Sequence, residues 1–221
     1  MPNQTFFFLS EIIRQRITVL ARAEFAAADY NNASITHIVK QAKIAKGSFY
    51  QYFEDKEDLY LYIIDLASQQ RISLIQSAHA QLAADLKPKD FFAELRWMLT
   101  TSTMFVMQYP QLNQIIHRAY YGDSPVKEAA LEIVLAAYKQ SIRTLIEKGV
   151  ANGDLRADLD LDLAVFIILT ASNSLRYFIP EKLGLDTRQL AENEGVNIDI
   201  AAVDQIFDQL ILVFKHGISS T

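Results

Sequence analysis

An all-α fold, with a small head ahead of a larger helical body, is what this chain predicts, and three observations carry that reading. Apolar residues recur at three- and four-residue steps almost throughout. Glycine and proline number only seven and five in 221 residues, too few for the frequent turns of a strand-rich fold. No stretch shows the apolar–polar alternation of a half-buried strand.

Taken in order, Ile12, Ile13, Ile17, Leu20, Ala21 and Phe25 place a first helix at about residues 9–28. Asp29-Tyr30-Asn31-Asn32 breaks it, and Ser34 is a natural N-cap for a short second helix at 35–41. A turn at Lys43 and Ile44 leads to a third helix at 46–52. Glu54 or Asp55 can cap a long fourth helix carrying Leu59, Tyr62, Ile63, Leu66, Ile72 and Ile75. Pro88 opens the next segment, where proline suits a first helical turn, and Phe91, Leu95, Met98, Ser102 and Phe105 share one face. Tyr109-Pro110 interrupts, residues 112–120 read as a shorter helix, and Gly122-Asp123-Ser124-Pro125 is a turn. A helical pattern over 126–150 stops at Gly149 and Asn152-Gly153. Two apolar helices at 160–178 and 200–216, separated by a loop-like stretch from 180 to 199, complete a set of about nine. The head spans residues 1–56 and the body 57–221.

With 51% apolar and 21% charged residues the chain can bury a sizeable core. It has no cysteine, which excludes disulfides and thiolate metal sites. The apolar patch Phe6-Phe7-Phe8-Leu9 is too short for a signal sequence and has no basic residue ahead of it. The uncharged run over 163–175 is too short to span a bilayer. A soluble, cytoplasmic protein with no membrane partner is expected.

Charge is uneven along the chain. Residues 1–60 hold seven basic and seven acidic side chains, so the remainder supplies the whole net charge of −5. Within the head, residues 34–53 contain Lys40, Lys43 and Lys46 and no acid, with Lys56 just beyond. A nucleic-acid binder of acidic overall charge needs its positive charge concentrated in this way. On charge alone the cluster also reads as a solvated basic face.

The two short helices meeting at a sharp break have the form of a helix-turn-helix, whose second helix presents its N-terminal residues to base edges in the major groove. Lys46 and Ser48 stand at that N-terminus, able to meet phosphate or base. Gly47 removes a side chain where backbone must approach DNA, and a helix start favours phosphate. Tyr50 and Tyr52 offer hydroxyl donors, and Gln51 has the amide that pairs with adenine. Phe49 and Phe53, four apart, point into the head's own core. By spacing alone, a plain capped amphipathic helix fits the same residues.

Ile38-Val39-Lys40-Gln41-Ala42, Ile44-Ala45-Lys46-Gly47-Ser48-Phe49-Tyr50-Gln51-Tyr52-Phe53 and Lys56-Glu57-Asp58-Leu59 together resemble the signature of TetR-family transcriptional repressors. Phe25-Ala26 and Ser34 also fall where that family has them. The likeness covers roughly residues 10–60, with the rest similar in helical plan. It implies DNA contact by Ser34, Lys46, Gly47, Ser48, Tyr50, Gln51, Tyr52 and Lys56. It also implies a homodimer placing two heads in successive major grooves of a palindromic operator. Two positions depart from the pattern: Lys43 stands where glycine is usual after Ala42, and Asp29 where glycine commonly ends the first helix. Lys43 either adds a phosphate contact or is simply exposed.

In the body, the uncharged stretch 163–175 and the broad apolar surface of 203–214 exceed a single stripe, as helices buried on more than one side do. Two such helices per subunit can form a four-helix dimer interface, for which Phe166, Leu169, Ile206, Leu210 and Phe214 are the candidates, or they can back a purely monomeric core. Large soft side chains crowd residues 91–121, a stripe that taken residue by residue also reads as ordinary core. Apolar walls with a few polar anchors suit a small-molecule site, and the resemblance implies an inducer pocket. Its candidates are Phe91, Trp97, Met98, Phe105, Tyr109, His117, Tyr120, Asn173, Arg176 and Tyr177. Arg176 suits either an anionic or carbonyl group of an effector or an intersubunit ion pair.

The expected function is a ligand-responsive DNA-binding regulator with a double-stranded operator, a small hydrophobic or amphipathic effector and a second copy of itself as partners. An enzyme is not expected, nor any cofactor. The four histidines form no metal-binding pair, and no nucleophile elbow or phosphate-cradling loop is present. A helical adaptor whose head binds protein is the alternative.

Overall fold

The computed structural model describes residues 1–185 and 199–217, apart from the side chains at 104–108, 110, 137 and 176. Among the described residues there are ten helices: α1 (Gln4–Phe7), α2 (Glu11–Ala27), α3 (Ile35–Ala42), α4 (Lys46–Tyr52), α5 (Lys56–Ala80), α6 (Phe91–Gln108), α7 (Pro110–Tyr121), α8 (Lys127–Ala151), α9 (Leu161–Leu183) and α10 (Ile200–His216). No described residue is in a strand. The periodic segments and the expected all-α class are found as read, and α1 is the helix that periodicity did not anticipate; four residues are too few to show a period.

The chain divides into two units, Met1–Ser73 with Tyr109–Ala137, and Leu74–Gln108 with Tyr138–Thr221. The first takes in the expected head of residues 1–56 and adds 57–73 and 109–137. Its core is built from inward stripes: Ile17, Ala21 and Phe25 on α2, Ile38, Val39 and Ala42 on α3, Phe49 and Phe53 around α4, and Leu59, Tyr60, Ile63 and Ala67 on α5, all buried. Burying each large apolar side chain stabilises the unit by about 1.5–3 kcal/mol. Tyr60 packs edge-on against Phe25 and Tyr30, with centroids at 5.0 and 5.1 Å. Burial pushes its phenol up to about 12, so it stays neutral within the core. Pro110 occupies the first turn of α7, and Leu112, Ile115, Ile116 and Ala119 bury a stripe that packs on α2. Arg118 then donates to the carbonyl of Ala27 at 3.2 Å, closing the end of α2.

In the second unit, Phe91 and Leu95 of α6, Ile142, Leu145 and Ile146 of α8, and Ala164, Val165 and Ile168 of α9 form one core cluster. Leu99 with Val203 and Phe207 of α10 forms another. Arg96 on α6 is held by Asp208 at 2.6 Å and Asp204 at 3.4 Å on α10, and Arg143 on α8 pairs with Asp162 on α9. Gly149 is required by packing: a Cβ there would lie 2.9 Å from Phe91 Cδ2 and 3.1 Å from Leu155 Cδ1.

Two boundaries differ from the sequence reading. The helix expected to open at Pro88 starts at Phe91, because Asp90 caps it from its side chain and Asp154 accepts from the Phe91 N–H at 3.0 Å. The loop expected from residue 180 begins only at Gly184, since α9 runs through Pro180 to Leu183. Proline removes one helical donor and crowds the preceding turn, which bends a helix without ending it when the flanking turns hold; α9 bends by 42° between Leu161–Leu175 and Tyr177–Leu183. Gly184, at φ 65°, supplies the left-handed stop. Most of the expected loop, residues 186–198, lies outside the described residues.

Candidate nucleic-acid interface

The interface starts from a cap. Ser34 Oγ accepts from the His37 N–H at 3.2 Å and opens α3. Glu24, from α2, accepts from the Ser34 N–H at 2.8 Å and bonds His37 Nδ1 at 2.6 Å, while His37 Nε2 meets Gln41 Nε2 at 2.9 Å. Partial burial pushes the Glu24 carboxyl up, but the hydrogen bonds from His37 and Ser34 and the His37 charge outweigh it, leaving it below the ordinary carboxylate value. Together these groups fix the entry to α3.

At its other end α3 closes through Lys43. Its backbone is left-handed, with φ 55° and ψ 43°, and it is the only non-glycine with positive φ among the described residues. The Lys43 N–H donates to Lys40 O at 3.2 Å and the Ile44 N–H to Val39 O at 3.1 Å. That pair of bonds is the Schellman closure, which usually employs glycine. Lysine therefore accepts the turn's backbone unchanged, and its side chain is exposed. The other departure has a different resolution. Ala28, after α2, is extended, so the chain needs no left-handed residue there, and Asp29 instead accepts from Asn32 N–H and Nδ2 at 2.9 and 3.1 Å.

Helix α4 spans the residues expected for it. Ala45 gives it no side-chain cap. Lys46, Gly47, Tyr50 and Gln51 are exposed, Ser48 and Tyr52 half-buried, and Phe49 and Phe53 buried. A Cβ on Gly47 would meet no protein atom within 4 Å, so nothing in the protein's own packing demands glycine there. Among the described residues no carboxylate pairs with Lys40, Lys43 or Lys46. Their charge is uncompensated beside the α4 surface, which is what phosphate attraction requires.

Lys56 is placed differently from the other candidates. Its Nζ donates to the carbonyls of Asn31 and Ala33, both at 3.2 Å, and lies 4.8 Å from the Tyr30 ring centroid. It ties the loop after α2 to the start of α5. Contacts that sequence reasoning missed include the Glu24–His37–Gln41 chain and the docking of residues 3–6 on the end of α4. Each joins residues too far apart in sequence for spacing to reveal.

The effector candidates are divided between the two units. Tyr109, His117 and Tyr120 belong to the first unit, and Phe91, Trp97, Met98, Asn173 and Tyr177 to the second. His117 stacks on Tyr121 at 4.2 Å. Phe91 is a core residue, Met98 packs against the same core cluster, and Trp97 meets His79 edge-on at 5.1 Å. Tyr177 is 51% exposed on α9. The side chains of Phe105 and Arg176 lie outside the described residues.

Of the dimer candidates, Phe166 is 63% exposed, whereas Ile206 is buried in its own unit. Leu169, Leu210 and Phe214 are half-buried, the last two against the core clusters. Leu163, Ile167, Phe178, Leu212 and Val213 join Phe166 as exposed apolar residues on α9 and α10. Between these helices runs an open groove of about 580 Å³ lined by Leu175, Phe178, Ile206, Leu210 and Val213 among others. No single helix among the described residues is long and apolar enough to cross a membrane.

The family model for bacterial regulatory proteins of the tetR family matches residues 17–63, and that for the tetracyclin repressor-like C-terminal domain matches residues 89–217. Over 159 residues the chain is 24% identical to the probable acrEF/envCD operon repressor of Escherichia coli K12, covering 70% of each protein. The crystal structure of a TetR family transcriptional regulator from Chloroflexus aurantiacus J-10-FL matches with a TM-score of 0.62 and 34% identity, over 98% of both chains. FadR from Bacillus subtilis, solved in complex with stearoyl-CoA, shares the fold at a TM-score of 0.62 and 18% identity, over 93% of this chain and 99% of that one. With both segments matched, the second over more than half of its length, this chain belongs to the TetR family of bacterial transcriptional regulators.

Proposed function

We propose that this chain is a ligand-responsive transcriptional repressor that binds a palindromic operator as a homodimer and leaves it when a hydrophobic or amphipathic effector binds. The observation that carries the DNA-binding half is the surface of α3 and α4. Lys43 and Lys46, with no acidic partner among the described residues, precede the exposed Gly47, Tyr50 and Gln51 inside the segment matched by the family. The lysines, Ser34 and the tyrosine hydroxyls suit phosphate; Ser48 and Gln51 suit base edges. The open space beside Gly47 leaves room for a backbone from outside the protein. Lys56 acts through the loop it tethers.

Dimerisation is proposed through α9 and α10, because Leu163, Phe166, Ile167, Phe178, Leu212 and Val213 together expose more apolar surface than a monomer in water normally keeps. The effector class follows the large apolar and aromatic side chains of α6, and a fold neighbour solved with stearoyl-CoA supports an amphipathic molecule. An effector can release DNA only by binding one conformation better than the other. Such a protein works in the cytoplasm and performs no catalysis.

Fluorescence anisotropy against duplexes from upstream of the protein's own gene is the test. Wild type should prefer one palindromic duplex over a scrambled one. Lys46→Ala should weaken both complexes and reduce the slope of log affinity against log salt by about 0.9 per head. Tyr50→Ala should weaken the operator complex. Binding that ignores sequence and both substitutions would rule the proposal out.

A further inference from the structure

Helix α4 is only seven residues long, far below the length at which a helix holds its shape alone. Its last carbonyls have no N–H one turn onward; the closing bond of the helix runs from Phe53 N–H to Phe49 O at 2.9 Å. The carbonyls of Gln51 and Tyr52 are met instead by residues 3–6. Asn3 N–H donates to Tyr52 O at 2.8 Å, Asn3 Nδ2 to Gln51 O at 3.4 Å, and Thr5 Oγ1 to Gln51 O. Phe6, fully buried, seats the segment with its ring 4.9 Å from Phe53, 5.4 Å from Tyr62 and 6.3 Å from Tyr52. The residues at this tethered end, Tyr50 and Gln51, have exposed side chains on the surface described above.

We propose that Asn3 and Thr5 are positioning residues for DNA recognition: by donating to the Gln51 and Tyr52 carbonyls they hold the last turn of α4, and with it Tyr50 and Gln51, in the orientation that meets the operator. The inference rests on the DNA-facing role of α4 proposed above. Residues 3–6 carry no charge, so their effect cannot come from neutralising phosphates. Both side chains are exposed, so replacing them leaves the buried Phe6 in place.

The test compares the full chain carrying Asn3→Ala with Thr5→Val, the full chain carrying Thr5→Ser, and wild type. Hydrogen–deuterium exchange is read over residues 49–53 without DNA, and anisotropy on operator and scrambled duplexes. In the double variant, exchange should rise and operator affinity fall, each by about three- to tenfold, the scale of one or two lost hydrogen bonds. Scrambled-duplex affinity and the salt slope should not move. Thr5→Ser keeps the hydroxyl donor and should behave as wild type. Faster exchange with unchanged operator affinity would overturn the proposal and leave the segment a packing role only. Lower affinity with unchanged exchange would overturn it in favour of direct contact with DNA. A wild type with no operator preference would remove the DNA-facing role of α4 itself, whatever the exchange shows.

Discussion

Replacing Lys43 by glycine separates the backbone strain at this position from the phosphate contact proposed for its side chain. In the folded protein Lys43 sits at φ 55° and ψ 43°, where its Cβ crowds the following carbonyl. For a residue other than glycine this conformation costs about 1–2 kcal/mol. Glycine removes that cost but returns about 0.5–1 kcal/mol through its freer unfolded chain. The net expectation is a stabilisation of about 0.5–1 kcal/mol, or a rise of roughly 1–4 °C in Tm for a chain of this size. Thermal unfolding followed by circular dichroism measures it, with Lys43→Ala as the control that loses the ammonium and keeps the strained backbone. The alanine variant should gain nothing in Tm. Both variants should lose about 0.9 per head from the salt slope of DNA binding, as removal of a phosphate ligand requires. A glycine variant no more stable than the alanine one would refute the strain reasoning. An unaltered slope in both would show that Lys43 faces solvent even in the complex.

Two further outcomes follow from the geometry. Phe166→Asp places a charge on an exposed apolar surface and leaves the core of its own unit intact, so light scattering should find a folded monomer; a dimer of unchanged stability would move the interface away from α9. Glu24 has a depressed carboxyl pKa, so its stabilising contribution is complete above its ordinary value of 4.5 and is lost as pH falls through the lower folded value. Melts of Glu24→Gln should therefore show a weaker loss of stability below about pH 4.5 than wild type, with the lower Tm already present at pH 7; parallel curves for the two proteins would remove Glu24 from the acid response.

What could be read before folding was whatever is decided within about four residues. Ser34, Asp160 and Asp199 cap helices through bonds to an N–H three positions on, and the sequence shows each at the right distance from an apolar stripe. The boundaries of α4 and α10 follow from the same local logic. At residues 88 and 180 that logic failed because a proline's local preference was overruled by neighbours: Asp154, sixty-three residues from Phe91, and the turns flanking Pro180.

The motif of α3 and α4 also placed the chemistry in the sequence, because a lysine, a glycine and two tyrosines on one short helix are already adjacent along the chain. Their orientation was decided elsewhere. Lys56 looks like one more basic residue of the motif, and only the fold shows that its ammonium is held by the carbonyls of Asn31 and Ala33. Phe166 and Ile206 read alike as apolar helix positions, and only the packing of α6, α9 and α10 exposes the first and buries the second. Arg118 carries no local sign of its partner, yet it closes α2 from ninety-one residues away. The sequence by itself therefore determined the helices, the reading head and the family, since periodicity, capping and motif spacing are short-range. Only the tertiary structure decided which cations stay free, which apolar faces remain open and what tethers the reading helix, because those depend on surfaces that meet only when distant segments pack.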